Sequence, residues 1–159
     1  MPACCVQTGK FAYLCSRKMK ELNYHYTIPV QIRWNDWDRF GHINNATYFE
    51  LFDTGKITYL EIVCPDVDWS KCAMMMVHDE TDFVSQIKEF NNISVRTAVV
   101  KIGHKSVTFY QEIFNHRNGE IKAHCLSVMV YFDAATQLSA PVPQPWVDAI
   151  RAFDGDNIE

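Results

Sequence analysis

A chain of 159 residues, 48% of them apolar, has the size of one domain and can bury a core without disulfide or metal staples. Its net charge of −4, with no long run of either sign, argues against nucleic acid or an anionic membrane surface as the principal partner. No apolar run reaches the roughly 18 residues of a membrane span, and the six cysteines show neither CxxC nor zinc-ligand spacing. The expectation is a cytoplasmic protein with reduced thiols and neither a membrane nor a nucleic-acid partner.

Residues 1–18, MPACCVQTGKFAYLCSRK, hold three of the six cysteines, show no clear period and lack the apolar core of a signal peptide. They read as an N-terminal extension ahead of a natural start at Met19, leaving residues 19–159 as one domain. From Tyr26 to Trp34 the alternation of Ile28, Val30, Ile32 and Trp34 predicts a strand, with Pro29 at its edge or start. Then comes RWNDWDRFGHINNATYFELF, residues 33–52, in which two acids, Asp36 and Asp38, precede a Gly41-His42 turn and two asparagines. Residues 45–63 predict a helix. Its polar positions Thr47, Glu50, Thr54, Thr58 and Glu61 form one narrow stripe of 3.6-residue period, and most other positions are apolar, so it should be largely buried. Asn44 or Asn45 suits the N-cap, Pro65 the stop, and Asp53 and Lys56 are spaced to pair.

The remainder predicts strands. Ala73–Ile87 is long and mixed, Ile93–Ile102 and Ser106–Phe114 alternate, and Ile121–Phe132 follows the hairpin signal Asn118-Gly119. Gly103-His104-Lys105 is a tight connection, and Pro141, Pro143 and Pro145 precede a short helix near Trp146–Phe153. Apolar residues on a second sheet face, Val100, Ile102, Leu126, Val128 and Val130, call for a cover, and a second subunit is the economical one.

The run from Arg33 to Leu60 resembles the signature of hotdog-fold thioesterases of the 4-hydroxybenzoyl-CoA thioesterase type, an acidic-x-acidic-x-x-Gly-His-x-Asn-Asn-x-x-Tyr pattern between the first strand and the central helix. VKIGHKSVTFYQEIF and AHCLSVMVYFDAAT are similar to later strands of the family, and the resemblance covers about Tyr26 to Val147. It implies an α+β fold, a curved antiparallel sheet of five or six strands wrapped around a long central helix. It also implies a homodimer or homotetramer with active sites at subunit interfaces, and hydrolysis of an acyl-CoA substrate without metal or other cofactor. By match to the motif, Asp38 is the catalytic carboxylate and the backbone N–H of Asn45 the oxyanion donor.

The chemistry suits these residues. A carboxylate can activate water or attack a thioester directly. The unpaired N–H groups and partial positive charge of a helix N-terminus stabilise the oxyanion, each such donor typically being worth about 3 kcal/mol of barrier. Gly41 lets the chain turn between acid and helix. Asp36 reads as structural. His42 is either a substrate contact or a loop residue bonded to backbone, and Tyr48, Phe49 and Phe52 either line the acyl pocket or pack the core. Lys101, His104, Lys105 and Ser106, at one strand turn, are candidates for the CoA phosphates or a solvated hairpin end. A non-catalytic acyl-CoA binder and an acyl-carrier-protein thioesterase stay open as alternatives. A hydratase of the same fold is disfavoured, since its Asp and His are separated by four residues and Asp38 and His42 by three.

Overall fold

The computed structural model describes residues 22–158, so the expected extension over residues 1–18 and the start at Met19 lie outside the described residues. In chain order the elements are β1 (Tyr26–Pro29), a 3-10 turn (Trp34–Asp36), α1 (Asn45–Val63), β2 (Cys72–Phe83), β3 (Ile93–Ile102), β4 (Ser106–Asn115), β5 (Ile121–Asp133), β6 (Leu138–Ser139) and α2 (Gln144–Asp154). Every strand pairing is antiparallel, in the order β1-β3-β4-β5-β2, with β6 added to the end of β5. The sheet and its helix are the α+β arrangement that the motif resemblance implies.

β1 is shorter than the alternation suggests. Val30 N–H still reaches the Ile93 carbonyl (3.0 Å), but β3 begins at Ile93, so residues beyond have no partner strand and turn away. α1 spans the predicted residues 45–63; Asn44 caps it, its side chain accepting the Ala46 N–H, and the chain leaves helical geometry at Cys64 ahead of Pro65. The helix is not hidden all round. Its buried positions fall in pairs, Thr47 and Tyr48, Leu51 and Phe52, Gly55 and Lys56, Tyr59 and Leu60, which is one face at helical spacing. Phe49 and Ile62, at 36% and 67% exposed, lie off that face, whereas Thr47, expected on the polar stripe, is buried.

The buried face meets the inner residues of the sheet in two adjoining clusters. One gathers Tyr59 and Leu60 with Val99, Val107, Phe109 and Met129; the other gathers Tyr48, Leu51 and Phe52 with Ile93, Val95 and Ile113. Burying each such side chain is worth about 1.5–3 kcal/mol, which makes this contact the main support of the helix. Gly55 lets α1 approach closely: a Cβ there would lie 2.7 Å from Gln111 Nε2 and 2.8 Å from Val95 Cγ1. Gln111 Nε2 in turn donates to the Phe52 carbonyl (2.9 Å) and Thr97 Oγ1 (3.0 Å). Lys56, 1% exposed, pairs with Asp53 (3.0 Å), the pairing expected from their spacing.

A register shift between Val99 and Lys101 changes which face β3 presents. Ile102 therefore joins the inner cluster instead of the outer face assigned to it from alternation, while Leu126, Val128 and Val130 stay half-buried. The shift coincides with a lock from α2. Asp154 Oδ2 accepts both the Val99 N–H (2.9 Å) and the Tyr59 hydroxyl (2.7 Å) in the core.

Candidate active site

Between the 3-10 turn and α1 the chain forms a miniature hairpin. Asn44 N–H donates to the Asp36 carbonyl (3.0 Å), Trp37 bridges Ile43, and Asp38 N–H donates to the His42 carbonyl (2.7 Å). Gly41 closes the tip at φ +75, a left-handed conformation that costs glycine little. The outgoing arm carries Asp38; the returning arm becomes α1. The acid and the helix start are thus neighbours because six residues between them are folded back on themselves.

Asp38 Oδ1 accepts the Phe40 N–H (2.8 Å) and the His42 N–H (3.0 Å), while Oδ2 accepts no hydrogen bond from the described residues. The His42 N–H first, and the Phe40 N–H after it, hold the exposed carboxyl below its ordinary pKa, so it is anionic at neutral pH. At the helix start Asn44 Oδ1 takes the Ala46 N–H (3.0 Å) and its carbonyl the Thr47 N–H (2.9 Å). That leaves the Asn45 N–H with no acceptor among the described residues.

A cavity of about 460 Å³ opens at this point, bordered by Asp38, His42, Asn45 and Tyr48 on one side and by Phe83, Val84, Ser85 and Gln86 on the other. The first four are the residues picked out in the motif. Tyr48 is buried, its hydroxyl accepting the Ile87 N–H (3.2 Å) and its ring meeting Phe83 edge-on. The backbone of His42 serves the loop, as one of its two sequence readings has it. The opposite wall escaped sequence reasoning. It is the segment where β2 ends, fixed by the Val84 and Ser85 N–H groups on the Lys122 carbonyl (2.8 and 3.0 Å) and by the buried Lys122 ammonium on the Gln86 carbonyl (3.0 Å). The sequence reading ran a strand through it, over Ala73–Ile87, whereas β2 ends at Phe83.

Lys101, His104, Lys105 and Ser106 lie elsewhere. They occupy the β3–β4 turn, where Lys105 Nζ donates to the Ser139 carbonyl (2.8 Å) and the His104 carbonyl accepts the Val142 N–H (3.0 Å). β3 starts beside the hairpin and ends at this turn, so the two places are separated by a ten-residue strand, roughly 33 Å at full extension. Within one chain these four residues do not border the cavity. Among the described residues no group of three or more His, Cys, Asp or Glu side chains is placed to hold a metal ion, and no helix is long and apolar enough to cross a membrane. Cys64, Cys72 and Cys125 are buried free thiols, and burial pushes Cys64 and Cys125 up to about 12.

The family model described as the thioesterase-like superfamily matches residues 32–150, which include the hairpin, α1, both cavity walls and most of α2. The chain belongs to the thioesterase-like superfamily. A crystal structure of the PA5185 protein from Pseudomonas aeruginosa PAO1 is similar at TM-score 0.75 and 27% identity, covering 82% of this chain and 92% of that one. A thioesterase from Thermus thermophilus, crystallised with coenzyme A and Zn, is similar at TM-score 0.72 and 25% identity, covering 83% of this chain and 96% of that one. The uncharacterized protein YsmA of Bacillus subtilis strain 168 is 22% identical over 88 residues, a match of 55% of this chain and only 60% of that relative's length. The fold of this thioesterase-like chain is the hotdog fold.

Proposed function

We propose that this thioesterase-like protein is an acyl-CoA thioesterase that hydrolyses an acyl or aryl thioester, with Asp38 and the Asn45 N–H acting on one carbonyl. The observation that carries this reading is the cavity shared by an ionised carboxylate and a helix-start N–H, where among the described residues one carboxylate oxygen takes no hydrogen bond and the N–H has no acceptor. A thioester carbonyl placed between them receives its nucleophile from the Asp38 side. That nucleophile is either a water that gives up a proton to Asp38 or the carboxylate itself, which forms an anhydride that water then opens. Charge gathering on the carbonyl oxygen is met by the Asn45 N–H and the positive end of α1, in a position set before substrate arrives. The products are the free acid and the CoA thiol.

A second copy of the chain completes the site in this reading. β2 is the sheet edge opposite β1, its outer side is unpaired by any described strand, and Met75, Met76, Val77, Phe83 and Val84 are 45–62% exposed along it. Exposed apolar groups on an unpaired edge favour addition of another strand. Two copies joined there would place the wall at Phe83–Gln86 at a subunit boundary. Lys101, His104, Lys105 and Ser106 then serve the CoA phosphates of a neighbouring copy's site instead of their own.

The test is release of free thiol from a panel of acyl-CoA, aryl-CoA and acyl-carrier-protein thioesters, followed with a disulfide reagent. Turnover of one or more CoA esters is expected, and Asp38→Asn should cut it about 1,000-fold or more while the chain stays folded. Binding without turnover across the panel would sink the enzyme reading. Turnover confined to carrier-protein esters would move the substrate class.

A further inference from the structure

The first acid of the motif is not a spare catalytic group. Asp36 is 5% exposed, and its carboxylate is enclosed by one residue, Arg33: the backbone N–H at 2.6 Å, Nη2 at 3.0 Å and Nε at 3.4 Å. The same Nη2 reaches Glu50 Oε2 (3.0 Å), one turn beyond the start of α1. The Asp36 carbonyl meanwhile takes the Asn44 N–H at the base of the Asp38 hairpin. One guanidinium therefore ties the outgoing arm of the hairpin to the helix into which the returning arm continues.

Resting on the thioesterase reading, we propose that Arg33 is a positioning residue: shared between Asp36 and Glu50, its guanidinium fixes the separation between the Asp38 carboxylate and the Asn45 N–H. Backbone bonds pair the two arms, Asn44 N–H to the Asp36 carbonyl and Asp38 N–H to the His42 carbonyl, and Trp37 bridges Ile43 and packs on Phe90 (4.9 Å between ring centroids). The brace adds a side-chain tie from the outgoing arm to the second turn of α1. Without the brace those backbone bonds keep the hairpin paired, but its tilt against α1 loses its side-chain tie, and a small tilt carries Asp38 with it. A displacement of about 1 Å at a reacting group can lower the rate about 100-fold. Substrate affinity, set by contacts along the whole ligand, is untouched by such a shift, so the effect belongs to kcat. The Glu50 half of the brace matters little to stability, since Arg33 and Glu50 side chains are 64% and 63% exposed and ion pairs of that kind are screened by solvent. On the other half the Asp36 carboxylate is buried, but it keeps the Arg33 backbone N–H (2.6 Å) when the side chain is cut. Geometry and stability thus separate, which is what makes the role testable. A groove of about 330 Å³, bordered by Arg33, Asp36, Thr47 and Glu50, has room for a free guanidinium ion where the side chain is removed.

Thiol release by wild type, Arg33→Ala and Arg33→Ala/Glu50→Ala is measured on the wild type's best CoA ester, with thermal melts of each. Arg33→Ala should lose about 10- to 100-fold in kcat, with KM within about twofold and the melting temperature within about 3 °C. Millimolar guanidinium should restore part of the loss in the single variant, and the double variant should be no slower than the single but lose that rescue. Wild-type kcat in Arg33→Ala overturns the proposal, as does a loss that appears in KM or follows a drop in melting temperature without rescue. A wild type silent on every CoA ester overturns the thioesterase reading itself, and the two failures are told apart by that first measurement.

Discussion

At the scale of single residues, the site depends on how one carboxylate is held. Asp38 commits Oδ1 to two backbone N–H groups, and those bonds lower its pKa because they favour the charged form. The sign of the pH effect follows. A depressed pKa keeps the Asp38 anion present above the ordinary aspartate value of about 3.9, and it is lost only as pH falls through the lower folded value. In the proposed reaction kcat/KM should therefore stay level with respect to Asp38 from pH 7 down to about 4.5; a steep loss between pH 7 and 5 in the free enzyme would show that another group controls the step. In that proposed reaction Asn45 contributes through its main chain, so Asn45→Ala should cost far less turnover than Asp38→Asn.

At the scale of elements, the helix and the motif were the legible parts, because each is local. Helical periodicity and the Asn-Asn cap place α1 correctly, and Asp38, His42, Asn45 and Tyr48 do share one cavity. What depended on distant partners was not legible. β1 stops where β3 runs out, Ile102 changes face through a register shift, and β6 exists only because β5 outruns β4. The wall at Phe83–Gln86 and the reach of Arg33 to Glu50 likewise join residues far apart in sequence. Gly55 shows a case in which tertiary contact outweighs propensity. Alanine would gain about 1 kcal/mol as a helix former, but its Cβ would press on Gln111, Val95 and Thr97 within 3.0 Å, and overpacking of that kind costs about 1–3 kcal/mol. Gly55→Ala should lower stability by about 1 kcal/mol in denaturant titration; a stabilised variant would mean that α1 can lift away from the sheet.

At the scale of the whole molecule, the unpaired β2 edge carries the prediction. Val77, 62% exposed at an irregular point of the β2–β5 pairing, is a place where a charge would oppose strand addition without entering the core. Val77→Asp should give monomers in sedimentation and lose most turnover while Asp38 and α1 stay in place; a monomeric variant with full activity would show that one chain holds a complete site. The Asp154 lock reaches further than packing. It joins residues 95 and 55 positions apart, so the Tyr59 hydroxyl and the Val99 N–H gain their acceptor only after the last helix has been synthesised. A chain that has not yet added α2 carries two unmet polar groups at the heart of its core, and closure of the fold waits for that helix.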